Sequence, residues 1–269
     1  MDDATPTPEG CVSCGRALKP ESAFCGDCGH RRGEPPVDRA AKVKVRLDRV
    51  RRIESGWGGI RAVIFFYVGL LLGQAASMLV AHATNEFTAD LGGTAILAAI
   101  ILLAASMNRD AFPPGRGAGF GPRGYGLVFL AAIPIVLVVA VYVHGLSRLF
   151  PIPTQSYLEP YQGRSPAWAY FLVAVAPAFF EELAFRGVIF GLLRRSLNPR
   201  ETILLSAVAF GLLHLSVPML LTHVPLGIYL GWLRHRSGSL YPSMVAHFLH
   251  NAFVVTAEVW ALGPGWLSS

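Results

Sequence analysis

Long apolar stretches separated by short polar connections organise most of the chain. A helix that spans the hydrocarbon core of a bilayer needs roughly 20 mostly apolar residues. On that basis spanning segments are predicted near 60–82, 91–107, 125–147, 167–193, 201–217, 218–233 and 240–262. The 201–233 region reads either as two tight spans or as one span plus a re-entrant piece around Pro218 and Pro225. Residues 1–32 are polar and hold every cysteine, and residues 33–59 form a Pro-, Arg- and Lys-containing linker ending in Gly56-Trp57-Gly58-Gly59. The pattern predicts an all-α polytopic membrane protein of about seven transmembrane helices over 60–262, preceded by a small N-terminal module. No internal repeat is visible, which argues against a transporter built from two related halves.

Composition supports lipid as the solvent: the 269 residues are 53% hydrophobic and 15% charged, with a mean hydropathy of +0.46. The net charge of +6 raises nucleic acid as a partner, but the basic residues lie between apolar runs rather than along one face, so nucleic-acid binding is discounted. They also fall in alternate connections: Arg39 to Arg61 with Lys42 and Lys44, then Arg109, Arg116 and Arg123, then Arg194, Arg195 and Arg200, then Arg234 and Arg236. The remaining loops hold Arg148 and Arg164. Because Lys and Arg resist translocation, the N-terminus is expected in the cytoplasm and the C-terminus outside. The first twenty residues lack the apolar core of a secretory signal peptide, so the first span is expected to direct membrane insertion. Trp57, Trp168, Trp232 and Trp260 all fall near predicted helix ends, where an indole suits the headgroup zone.

The cysteines form two pairs, Cys11-x-x-Cys14 and Cys25-x-x-Cys28, each followed by glycine (Gly15 and Gly29). Glycine lets the backbone turn back so that both thiolates of a pair face one ion. Four thiolates suit tetrahedral zinc and leave no open position, so Zn2+ here is structural and the module resembles a zinc ribbon. Its partner is not readable from the residues.

Three predicted helices carry chemistry. The fourth segment holds Glu181, Glu182 and Arg186 inside an apolar stretch. Each such charge costs about 2.5–3.5 kcal/mol on insertion scales, so a functional site is the default reading. Glu182 and Arg186, four residues apart, share a helix face and can neutralise each other, while Glu181 points about 100° away around the axis. The fifth segment places Phe210 and His214 one turn apart, and the seventh does the same for His247 and Asn251. A Glu, two His and an Asn converging in a dry cavity could deprotonate a water and stabilise the oxyanion formed when it attacks a peptide carbonyl. Pro177, one turn before the glutamates, is positioned to kink its helix.

The ordered motifs Glu-Glu-x-x-x-Arg (181–186), Phe-x-x-x-His (210–214) and His-x-x-x-Asn (247–251) resemble those of the CAAX-protease and bacteriocin-processing (CPBP) family of intramembrane proteases, which includes the type II CAAX prenyl endopeptidase. The resemblance covers roughly 165–260. It implies that Glu181 and His214 activate the attacking water, that His247 and Asn251 complete the site and stabilise the oxyanion, and that Glu182 and Arg186 are a supporting ion pair. The zinc-protease signature His-Glu-x-x-His is absent. Glu181, His214 and His247 would nevertheless make a three-ligand metal site with an open position, so metal-dependent and glutamate-based hydrolysis both stay open.

Other intramembrane histidines, His82, His144, His223, His235 and His250, read as helix-to-helix hydrogen-bond partners or interfacial groups. The expected function is an intramembrane endopeptidase acting on a membrane-associated or lipidated peptide, with the bilayer and that peptide as its partners. The alternatives are a non-catalytic membrane protein of the same fold, serving bacteriocin immunity or as a scaffold, and a proton-coupled transporter.

Overall fold

The computed structural model describes residues 10–12, 14–18, 23–25, 27, 31–33, 39–112, 120–149, 156 and 158–262, and omits the side chains of 39–56, 82 and 262. It divides into two compact units, Met1–Glu54 and Ser55–Ser269. In the first, isolated antiparallel bridges pair Gly10 with Ala17 and Phe24 with Arg31. A tight turn joins Cys11 to Cys14: the Gly15 amide donates to the Cys11 carbonyl at 2.7 Å, with Gly15 at φ +74°. That conformation is open to glycine at no steric cost. Cys28 and Gly29 lie outside the described residues.

The second unit is all-α. Seven helices are described: α1 (Arg39–Ala83), whose first residues belong to the first unit, α2 (Glu86–Met107), α3 (Pro122–Leu149), α4 (167–193), α5 (Pro199–Leu213), α6 (Val217–Ser237) and α7 (Tyr241–Leu262). Each predicted segment corresponds to one of them, and 201–233 resolves into two helices rather than a span with a re-entrant piece. Two differences have plain causes. α1 is already helical at Arg39, inside the stretch read as linker, because 39–54 contains no proline or glycine to interrupt it. By length and apolarity alone, Trp57–Ala81, Glu86–Met107 and Pro122–Leu149 qualify to cross a membrane. The later helices are short, as α5 is with 15 residues, broken into α- and π-helical stretches, as α4 is, or interrupted by polar and charged side chains, as α6 and α7 are.

Local signals set the helix ends. Asn85 caps α2 by accepting from the Thr88 amide at 2.9 Å. α5 opens with a reciprocal capping box, the Glu201 amide donating to Asn198 Oδ1 at 3.0 Å and the Asn198 amide to Glu201 Oε2 at 2.9 Å, with Pro199 at the first helical position.

Lipid-facing character is concentrated on α1–α3. Phe65 is 77% exposed and Val141 73%, a cost no water-soluble surface would carry over so many large apolar side chains. The chain is an integral membrane protein. Its main core gathers Phe66 and Leu70 from α1, Ile101 from α2, Phe185, Val188 and Ile189 from α4, and Phe210 and Leu213 from α5. α4 is therefore the central helix of this core. α5 and α6 pack backbone to backbone: a Cβ at Gly227 would stand 2.9 Å from Ala207 Cα, an approach only glycine permits.

On the side of the α2 N-terminus, Tyr161 donates to Asp90 Oδ2 at 2.8 Å. Burial first, and the Asp90 carboxylate second, hold this phenol well above its ordinary pKa range, so it remains a donor.

Candidate active site

α4 is not a uniform α-helix. α-Helical turns at Ala167–Ala169, Ala176–Glu182 and Phe190–Leu193 alternate with π-helical segments at Tyr170–Val175 and Leu183–Ile189. π-Segments widen the helix, disturb the regular carbonyl ladder and are frequent at functional sites. The glutamates sit at the junction where the α-helical turn ending at Glu182 gives way to the second π-segment.

Glu182 and Arg186 are both fully buried and paired, Arg186 Nη1 donating to Glu182 Oε1 at 2.8 Å. Arg186 Nη2 donates to the Gly227 carbonyl of α6 at 3.0 Å, and the guanidinium lies 4.6 Å over the Phe210 ring of α5. The Arg186 carbonyl accepts from Arg234 Nε at 3.0 Å. One arginine thus ties α4 to α5 and α6.

Glu182 Oε1 also receives His247 Nδ1 of α7, at 3.1 Å. A carboxylate paired with arginine is an acceptor, so His247 carries its proton on Nδ1 and turns Nε2 the other way, toward Glu181 Oε2 at 3.8 Å. That gap is too long for a direct hydrogen bond and suits a bridging water. Glu181 has no direct hydrogen bond among the described residues; its side chain keeps 26% exposure while that of Glu182 has none.

His214, the residue that ends α5, donates Nδ1–H to the Phe210 carbonyl at 3.0 Å, a carbonyl being able only to accept. Its Nε2 is left for a ligand. The chain then leaves the helix through Leu215 at φ +51°, a left-handed conformation uncommon for a side chain of this size. The tight turn brings α6 back so that His223 lies tilted against His214 with ring centroids 3.9 Å apart. The Phe210 ring is the common partner, 5.1 Å from His214, 5.8 Å from His223 and 5.7 Å from His247.

Glu181 and His214 share the wall of one cavity of about 210 Å³. Its other walls are Ala176, Pro177, Phe180, Ala184 and Phe185 of α4, Leu213 of α5, Leu70 and Gln74 of α1, and Thr94, Leu97 and Ile101 of α2. The fold therefore brings Glu181, Glu182, Arg186, His214 and His247 into one cluster. Asn251 stands one turn from His247 and donates Nδ2–H to the Val173 carbonyl at 2.8 Å, inside the first π-segment of α4. One of its two amide hydrogens is used there.

The motifs missed three contributors. Gln74 and Thr94 lie on helices whose apolar sequence shows only that they span, and His223 lies outside every motif. Its one available signal was a histidine inside an apolar helix. Of the histidines read as bystanders, His144 and His235 are exposed, His250 is buried, and the His82 side chain is outside the described residues.

Among the described residues, the group of three whose ligand atoms lie within 4.8 Å of one another is Cys11, Cys14 and Cys25. Cys14 and Cys25 sulfurs are 3.6 Å apart. A tetrahedral ion at about 2.3 Å from each sulfur holds them roughly 3.8 Å apart, whereas a disulfide needs about 2.05 Å. These three thiols could bind a metal. Glu181 and His247 approach to 3.8 Å, but with His214 they do not form a mutually close set of three among the described residues.

Comparison with known proteins agrees with the motifs. Residues 163–253 match the family described as Type II CAAX prenyl endopeptidase Rce1-like. The chain is 31% identical over 118 residues to a Bacillus subtilis (strain 168) protein described as "Putative membrane peptidase YdiL", an alignment covering 44% of this chain and 47% of that protein. The chain thus spans about half the length of the curated relative it matches. No solved structure matches significantly. The resemblance to the CPBP family holds over the helices that carry Glu181, His214 and His247.

Removing one partner of the buried pair leaves the other charge uncompensated in a dry site, at a cost of about 3–5 kcal/mol, whereas replacing both is far milder. Arg186→Leu is expected to lower the unfolding free energy in detergent by about that amount, and Glu182→Leu/Arg186→Leu by clearly less than the sum of the single changes. Additive losses in a double-mutant cycle would contradict the pairing.

Proposed function

We propose that the chain is an intramembrane endopeptidase of CPBP type, hydrolysing a peptide bond of a membrane-associated or lipidated peptide with a water activated at Glu181 and His214. The observation that carries this reading is the split between the adjacent glutamates. Glu182 is spent on Arg186 and His247, while Glu181 faces a cavity together with the open Nε2 side of His214.

In this reading a water in the gap between Glu181 and His247 gives its proton to the Glu181 carboxylate as its oxygen bonds to the substrate carbonyl carbon, with His214 Nε2 accepting the water's second hydrogen bond. The resulting oxyanion is met by the remaining amide N–H of Asn251 and by His247, which donates Nε2–H to it while Glu182 accepts its Nδ1–H. Glu181 then returns the proton to the leaving amine as the C–N bond breaks.

For the N-terminal unit the proposal is structural zinc held by Cys11, Cys14, Cys25 and Cys28, supported by the sulfur spacing and by the paired Cys-x-x-Cys pattern. A reducing compartment for these thiols agrees with the cytoplasmic N-terminus that the basic connections favour.

Positioned acid–base groups contribute about 10²–10⁴-fold. Glu181→Ala and His214→Ala are each expected to lower kcat for a quenched fluorescent peptide by about that factor with thermal unfolding unchanged; full activity in either variant would remove it from the mechanism. Elemental analysis of the purified chain is expected to give one zinc per molecule, lost in Cys14→Ser, and a metal-free wild type would rule out the ribbon.

A further inference from the structure

Two polar side chains of α1 and α2, Gln74 and Thr94, line the cavity without a side-chain hydrogen bond among the described residues. Serine and threonine in apolar helices usually return their hydroxyl to a carbonyl one turn back. Here Ser77 donates to Gly73, Ser106 to Leu103, Thr202 to Asn198, Ser206 to Ile203, Thr222 to Met219 and Thr256 to Ala252. Thr94 of α2 makes no such bond, and the Gln74 amide of α1 has no side-chain hydrogen bond among the described residues. Both instead line the wall that also holds Glu181 and His214.

Their setting is close-packed. A Cβ at Gly93 would stand 2.6 Å from Ser77 Oγ, and one at Gly73 3.0 Å from the side chains of Leu97 and Ile100. α1 and α2 therefore meet at contact distance beside Gln74 and Thr94. An uncharged amide and a hydroxyl fixed beside an apolar cavity are costly unless something pairs with them. Glutamine matches a peptide bond, since its carbonyl accepts from the amide N–H while its NH₂ donates to the carbonyl oxygen.

We propose that the α1–α2 wall is a substrate subsite: Gln74 and Thr94 hydrogen-bond the backbone of an extended peptide, and the apolar surface of Leu97, Ile101 and Leu213 takes one aliphatic or aromatic side chain beside the bond facing Glu181. The inference rests on the peptidase reading and deepens it, assigning backbone recognition to helices outside the matched region 163–253.

Binding is measured separately from cleavage, by fluorescence anisotropy of labelled peptides on full-length Glu181→Gln protein in detergent. Peptides with leucine or phenylalanine at one position are expected to bind more tightly than their aspartate and glycine counterparts. Gln74→Leu and Thr94→Val, which add no polarity to the membrane helices, are each expected to weaken that binding about five- to tenfold, the effect of one or two lost hydrogen bonds. Thr94→Ser should retain wild-type affinity. Replacing the contacted peptide bond by an ester should weaken binding to the parent and leave Gln74→Leu indifferent. Affinity unchanged by both substitutions, or no peptide bound at all, overturns the subsite. Peptides that bind with this pattern but are not cut by wild type keep the subsite and remove the peptidase; cleavage by wild type with affinities unmoved by Gln74→Leu and Thr94→Val does the reverse.

Discussion

A carboxylate with no exposure to solvent, that of Glu182, is the interaction on which the rest of the membrane unit depends. One of its oxygens accepts from Arg186 on its own helix and from His247 on α7. A charge buried this deeply persists only where its partners are held in place. Arg186 in turn reaches Gly227 on α6 and lies over Phe210 on α5, so four helices meet around one ion pair. Packing and electrostatics reinforce each other: Phe210 is both core residue and the surface against which three histidine rings rest.

The same arrangement separates two glutamates that are neighbours in sequence. Because Glu182 turns into the protein, Glu181 turns into the cavity, where His214 also stands with its Nδ1 already bonded to Phe210. The orientation of the reactive groups follows from what their other ends are bonded to, as in hydrolases where a buried carboxylate fixes a histidine tautomer.

Much of this was legible in the residues. Mostly apolar stretches marked every helix of the membrane unit, because a helix surrounded by lipid or by protein interior must be largely apolar. The spacing of Glu182 and Arg186 gave their pairing, since four residues make one helical turn. What escaped depends on contacts distant in sequence. The π-segments of α4 leave no pattern in Tyr170–Val175 or Leu183–Ile189, for no residue type or spacing there distinguishes a π-turn from an α-turn. His223 reaches His214 only through the turn at Leu215, and Asn251 binds Val173, 78 residues away. Gln74 and Thr94 are single polar residues in apolar helices, and no spacing rule links them to Glu181. The start of α1 was missed for the opposite reason: charged residues read as linker can equally well be helical.

The central claim is that Glu182 holds the site together while Glu181 acts in it, and the direct test is to measure unfolding and peptide cleavage on the same preparations of Glu181→Gln and Glu182→Gln. Glu182→Gln is expected to lower the unfolding midpoint and impair cleavage together, whereas Glu181→Gln keeps the midpoint and loses cleavage. A Glu182→Gln protein as stable and active as wild type, or a Glu181→Gln protein that unfolds early yet still cuts, would contradict the account.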